Sequence, residues 1–140
     1  MSPYDADQVY PVEADTLLLA EVALAEVRPG DRVLEVGTGG GHIAAALASR
    51  RGITVTATEV NPHAAAMAHG RGLDVIRTDL TAGICGTFDL ILFNPPYLPT
   101  APEERIDDWL EVALDGGRSG RCVIERFAAI VLDRLAPGGR

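Results

Sequence analysis

Lysine is missing altogether: among the 140 residues all twelve basic ones are arginine. A bias that uniform reads first as a property of the coding sequence, and a functional cause ranks second. Twenty acidic residues against those twelve leave a net charge of −8. Proteins that grip a nucleic-acid backbone over a long footprint neutralise phosphates, so this balance disfavours such a partner while leaving a local basic patch open. Cysteine is scarce too. Cys85 and Cys122 are unclustered, which suits ordinary reduced thiols, and His42, His63 and His69 complete no zinc pattern, so no metal site is expected. No apolar run approaches a membrane span, and Met1-Ser2-Pro3-Tyr4-Asp5 lacks the basic-then-apolar order of a signal peptide. The expected location is the cytoplasm. Aromatic residues make up only 5%, and a hydrophobic share of 47%, rich in Ala, Val and Leu, predicts one globular α/β domain over 1–140.

What is present is organised around Phe88-Asp89-Leu90-Ile91-Leu92-Phe93-Asn94-Pro95-Pro96-Tyr97. An apolar run of this kind suits a strand buried on both faces, and it stops at an amide, two prolines and an aromatic ring. In open α/β sheets ligands bind at the carboxyl ends of strands, which is where Asn94 falls. Prolines lack an N–H and restrict the backbone, so carbonyl oxygens are left pointing in fixed directions. Asn94 and the Pro95 carbonyl can together accept hydrogen bonds from one –NH2 group, and Tyr97 can cover the flat face of whatever carries it. By itself, Asn-Pro-Pro is also an ordinary turn after a strand.

Around that stretch the chain alternates strands and helices. Residues 12–27 have apolar positions at helical spacing and stop at Arg28-Pro29-Gly30, predicting a helix that covers the sheet. Arg32 to Val36 is the first strand, and Gly37-Thr38-Gly39-Gly40-Gly41-His42 turns into a helix reaching about Arg50. Such a turn brings backbone close to a ligand, but His42 at the sixth position breaks the dinucleotide fingerprint. Thr54 to Thr58 is the second strand, ending at Glu59-Val60-Asn61-Pro62. An acid at that strand tip sits where a ribose diol is bound bidentately, although exposed strand-end glutamates are common; Val60 would then lie against the adenine. Pro62 opens the next helix, Asp74 to Thr78 forms the third strand, and Asp79-Leu80 closes it. After Tyr97 comes a proline-punctuated loop, then Trp109, a glycine hinge over Leu114-Asp115-Gly116-Gly117 and an amphipathic helix from Val123 to Leu135.

Taken together, Asn-Pro-Pro-Tyr, the loop Glu35-Val36-Gly37-Thr38-Gly39-Gly40-Gly41 and Glu59 resemble the amino-group methyltransferases that use S-adenosylmethionine. Members of that group act on adenine, on cytosine amines and on glutamine side chains of translation release factors. The chain looks most like the HemK-like release-factor glutamine methyltransferases of archaea and eukaryotes. Those proteins open with Tyr, Pro and Glu-Asp-Thr before a leucine run. Tyr10, Asp15 and Thr16 are kept here, with Ala14 in place of the Glu and Pro11 one position early. They also carry a Trp and a Leu-Asp-Gly-Gly segment, matched by Trp109 and Leu114 to Gly117, with Ser119 where an Asp is usual.

The resemblance implies S-adenosyl-L-methionine as donor and S-adenosyl-L-homocysteine as product. It implies a binding set of Tyr10, Asp15, Thr16, Glu35, Gly37, Thr38, Gly39, Gly41, Glu59, Val60, Asp79 and Leu80. Glu35 would help hold the donor's amino group, and Asp79 would accept from the adenine amine, or else serve only as a turn former. Asn94, Pro95, Pro96 and Tyr97 would be the catalytic set, with a release factor as the protein substrate and a small activating subunit as a possible partner. Methylation of an adenine amine is the alternative, and a lysine acceptor stays open. Two readings from other classes are a nicotinamide oxidoreductase, which gives Asn94 to Tyr97 no role, and an inactive binding subunit.

Right-handed crossovers and a ligand site at the switch point predict a Rossmann-like parallel sheet of strand order 3-2-1-4 with helices on both faces. This places the glycine loop beside Asn94. A sheet of four strands would also leave Phe88 to Phe93 as an apolar edge with unpaired backbone groups. The expectation from that edge is a fragment cut before a fifth strand, or strands supplied by another chain.

Overall fold

A computed structural model describes residues 2–140. Four strands, β1 (Arg32–Val36), β2 (Thr54–Glu59), β3 (Asp74–Arg77) and β4 (Leu90–Phe93), form a parallel sheet of order β3-β2-β1-β4. The predicted order is therefore the observed one. Val33 pairs with Val55 on one side and Leu90 on the other, so β1 is the spine of the sheet. Its residues from Val33 to Val36 are all buried, as a strand covered on both faces requires.

Alternation along the strands divides the core. Val33, Leu90 and Leu92 pack with Ala20 and Ala23 of α1 (Ala14–Glu26) and with Ile43 and Leu47 of α2 (His42–Ala48). On the opposite face Leu34, Val36 and Phe88 meet Phe127 and Ile130 of α5 (Cys122–Ile130). A third cluster, Ala44, Ala57, Ala68 and Leu73, seats α3 (Pro62–Gly70) against β2. Small alanines at these contacts let helix and sheet backbones approach closely. No helix of the described residues is long and apolar enough to cross a membrane.

The outer edge of β4 differs from expectation. Phe88 N–H donates to the Arg134 carbonyl (2.8 Å) and Ala136 N–H to the Phe88 carbonyl (2.9 Å). Arg140 N–H then donates to the Asp89 carbonyl (3.0 Å), and Ile91 N–H donates to the Arg140 carbonyl (2.9 Å). The reason is local: beyond α5 the chain tightens into a 3₁₀ turn, Val131–Arg134, and Leu135 bridges to Phe88 in parallel. A turn closed by Gly139 N–H on the Ala136 carbonyl (2.8 Å) brings Arg140 back to the strand. Much of the edge predicted to be bare is thus paired by residues 134–140.

Candidate functional site

The carboxyl ends of all four strands open into one cavity of about 560 Å³, within the size range of small-molecule sites. Its floor is the glycine loop after β1. Thr38 N–H donates to the Thr58 carbonyl (3.0 Å), fastening the loop to β2. Glu59 completes the fastening: one carboxylate oxygen accepts from Gly39 N–H (2.7 Å) and the other from Asn61 N–H (2.9 Å). A carboxylate at this strand end, with acceptor capacity beyond these two bonds, suits the hydroxyls of a vicinal diol. Glu35 lies deeper, 4% exposed, accepting from the Thr38 hydroxyl at 2.7 Å. Burial pushes its carboxyl up to about 7 despite the hydrogen bonds from Thr38 and the Ala44 N–H, and the Glu59 charge adds to the rise. Burial also raises Glu59, against the bonds from Asn61 and Gly39. Two adjacent carboxyls whose charge is disfavoured form a receptor for hydroxyl and amino groups.

A strap from Asp5 to Glu13 forms one wall. Its 3₁₀ turn, Ala6–Gln8, is held by Gln8, whose backbone carbonyl accepts from the Asn61 amide (2.8 Å). The Gln8 side-chain carbonyl accepts from Trp109 N–H (3.0 Å) at the start of α4 (Trp109–Val112). Asn61 in turn caps α3, accepting from His63 N–H at 2.9 Å. The strap is therefore tied at one residue to both the β2 end and α4.

Facing it is the segment after β4. Asn94, Pro95, Pro96 and Tyr97 line the cavity, and Leu98 bridges in parallel to Asp115. Leu98 N–H donates to the Leu114 carbonyl (3.1 Å) and Gly116 N–H to the Leu98 carbonyl (2.9 Å), so the Leu-Asp-Gly-Gly segment braces the motif as a short strand would. The segment lies between α4 and α5, as expected of a glycine hinge between two helices, and it also clamps the motif. Gly120 closes it with φ +72°, where an added Cβ would stand 2.5 Å from the Tyr97 carbonyl oxygen. Across the cavity Asp15 accepts from Tyr10 O–H (3.4 Å) and Tyr97 O–H (3.5 Å).

Every predicted site residue but one lines this cavity: Tyr10, Asp15, Thr16, Glu35, Gly37, Thr38, Gly39, Glu59, Val60, Asp79, Leu80 and Asn94 to Tyr97. The exception is Gly41, the cap of α2 at φ +83°, where a Cβ would meet Leu73 at 2.6 Å and Ala68 at 2.9 Å. Packing between helices accounts for its glycine. Asp79 is already engaged, its carboxylate 2.5 Å from the Arg126 guanidinium of α5. Leu80 has φ +51°, alone among the described non-glycine residues in being positive, which places its side chain in the Leu34 and Val36 cluster. Sequence reasoning missed Gln8, Val9, Phe93 and Arg126. Val9 and Phe93 directly precede the predicted Tyr10 and Asn94, while nothing local marks Gln8 or Arg126.

A parallel sheet whose first and fourth strands open side by side onto a nucleoside-sized cavity defines the class. The chain belongs to the methyltransferase small domain family, whose description matches residues 11–107. It is 38% identical to methyltransferase HEMK2 of Homo sapiens, over 94% of this chain and 68% of that protein. A release factor glutamine methyltransferase of Deinococcus radiodurans is 41% identical over 89% of this chain and 50% of its own. Among solved structures, the E. cuniculi Mtq2-Trm112 complex, which methylates the eRF1 translation termination factor, matches with a TM-score of 0.73 at 33% identity, covering 87% of this chain and 68% of that one.

Proposed function

We propose that the protein methylates the side-chain amide of a glutamine in a translation release factor, with S-adenosyl-L-methionine as donor. The observation that carries this is the pairing of β1 with β4, which brings Gly37 to Gly39 and Asn94 to Tyr97 into one cavity. The names of the relatives supply the acceptor. When bound, the donor supplies an electrophilic methyl group on a sulfonium. Glu59 holds the ribose hydroxyls, Glu35 the amino group, and Tyr10, Thr16, Val60 and Leu80 enclose the remainder. Asn94 and the Pro95 carbonyl accept from the acceptor –NH2, while Tyr97 covers the amide plane. An amide nitrogen is a weak nucleophile because its lone pair is delocalised. Catalysis then rests on orienting that lone pair and stabilising the positive charge that develops on nitrogen, with no strong base required.

A small activating subunit of the kind present in the E. cuniculi complex is part of this proposal, as is a cytoplasmic setting. An adenine amine offers the same –NH2 geometry, but the net charge of −8 opposes a phosphate-rich partner. The test incubates the protein with labelled S-adenosylmethionine and a purified release factor, with and without the subunit, and locates the label by mass spectrometry. Label on one glutamine supports the proposal. Label appearing only on added RNA or DNA defeats it.

A further inference from the structure

Gln8 is used twice by the fold, once through its backbone and once through its side chain. The backbone carbonyl accepts from the Asn61 amide at 2.8 Å, and Asn61 N–H donates to a Glu59 carboxylate oxygen at 2.9 Å, so this bond secures the strap behind the ribose acid. The side-chain Oε1 accepts from Trp109 N–H at 3.0 Å and crosses to α4, a single turn of four residues. The first N–H of a helix finds no partner inside it, and so short a helix keeps its place through ties to the rest of the fold. Asp108 caps the turn locally, accepting from Glu111 N–H at 2.8 Å, while Gln8 supplies the partner for Trp109.

What α4 carries lies on the wall opposite the ribose acid. Val112, Ala113, Leu114 and Asp115 line the cavity. The Leu114 carbonyl accepts from Leu98 N–H at 3.1 Å, and Gly116 N–H donates to the Leu98 carbonyl at 2.9 Å. Leu98 is joined directly to Tyr97, so a displacement of α4 passes through two backbone bonds and one peptide link to the ring that covers the acceptor amide. Resting on the amide-methylation reading above, we infer that Gln8 is a positioning residue for the acceptor: its side chain sets α4 and, through α4, the place of Tyr97. The backbone of the same residue serves the donor side. The two roles are separable, because a substitution removes only the side-chain bond.

Two variants of the full chain test this. Gln8→Met keeps the length of the side chain and removes its acceptor, whereas Gln8→Glu keeps an acceptor oxygen. Trp109 is the one tryptophan of the chain, so its emission reads α4 without any ligand. In Gln8→Met that emission should shift, and the Trp109 backbone amide should exchange with solvent about 3- to 10-fold faster. With labelled S-adenosylmethionine and a purified release factor, in the presence of the activating subunit, the acceptor KM should rise by about 3- to 10-fold, and kcat should fall by less than that. Affinity for S-adenosylhomocysteine should stay within about twofold, because the bond between Asn61 and the Gln8 carbonyl is untouched. Gln8→Glu should restore both emission and KM, and Gln8→Ala serves if Gln8→Met does not fold. Donor affinity falling in step with the rise in KM would overturn the inference and make Gln8 an anchor of the strap alone. An unchanged KM beside a shifted emission, or a Glu variant as impaired as the Met one, would overturn it too. Unshifted emission in Gln8→Met, read without any acceptor, would overturn it while leaving the parent reading in place. An unaltered protein that transfers no methyl group to the release factor would remove the parent reading, and the inference with it.

Discussion

Glu35 carries a conflict that only a proton or a ligand relieves. Its carboxyl is raised from 4.5 to about 7 in the folded protein. Between those values the unfolded chain is ionised and the folded one is not, so stability is full below about 4.5 and falls as pH rises to about 7. The loss amounts to about 3 kcal/mol. Glu35→Gln should flatten that stretch of the pH profile in urea denaturation, leaving the smaller contribution of Glu59, which has the same sign. A donor that brings an ammonium group to Glu35 should expel its proton near neutrality, visible in calorimetry as a binding heat that depends on the buffer. Glu59→Ala should cost affinity for S-adenosylhomocysteine by roughly 1.5–3 kcal/mol through its charged hydrogen bonds; unchanged affinity would remove the ribose assignment. That both acids face one cavity could be expected because they flank the glycine loop at the carboxyl ends of adjacent strands, although a strand-end glutamate by itself is common. Gln8 and Arg126 could not be expected there, since Gln8 meets Trp109 from 101 residues away and Arg126 meets Asp79 from 47. No local pattern encodes such meetings.

At the scale of elements, the strand centres followed from apolar runs, and the differences fall where tertiary pairing takes over. The amphipathic run from Val123 to Leu135 breaks at Ile130, because its last turn must tighten for Leu135 to reach Phe88. Phe88 and Asp89 read as part of the central strand, but the ladder with β1 starts at Leu90. The brace between Leu98 and Gly116 was invisible, since two glycines in a row announce a turn and say nothing of what the turn holds. Gly120→Ala tests that brace. Its Cβ would strike the Tyr97 carbonyl, and its φ of +72° is a conformation that side-chain-bearing residues rarely adopt. The change should displace Tyr97, raise the acceptor KM and cost about 1–3 kcal/mol, while leaving S-adenosylhomocysteine affinity within a factor of about two because the glycine loop is untouched.

For the whole molecule, the tail and the first strand are held by one side chain. Arg140 reaches Asp31 at 2.7 Å and also donates to the Glu26 carbonyl, joining the β4 edge to the loop between α1 and β1. Burial would raise Asp31, but bonds from Arg28 N–H and Arg140 hold it below its ordinary 3.8. That stabilisation is present above 3.8 and is lost as pH falls. Arg140→Ala should therefore cost about 1–3 kcal/mol at pH 7 by denaturant titration, and less in strong acid. The order of the strands also sets a timetable. Arg32 and Asp89, bonded where β1 meets β4, are 57 residues apart, and loop closure on that scale must come before any contact rewards it. The β1 to β3 unit can zip through nearer neighbours, whereas the cavity has no second wall until β4 arrives. On dilution from urea, helical signal should return in an early phase and capture of a fluorescent S-adenosylhomocysteine analogue in a later one. Recovery of both in a single phase would mean that β4 docks as soon as the chain collapses.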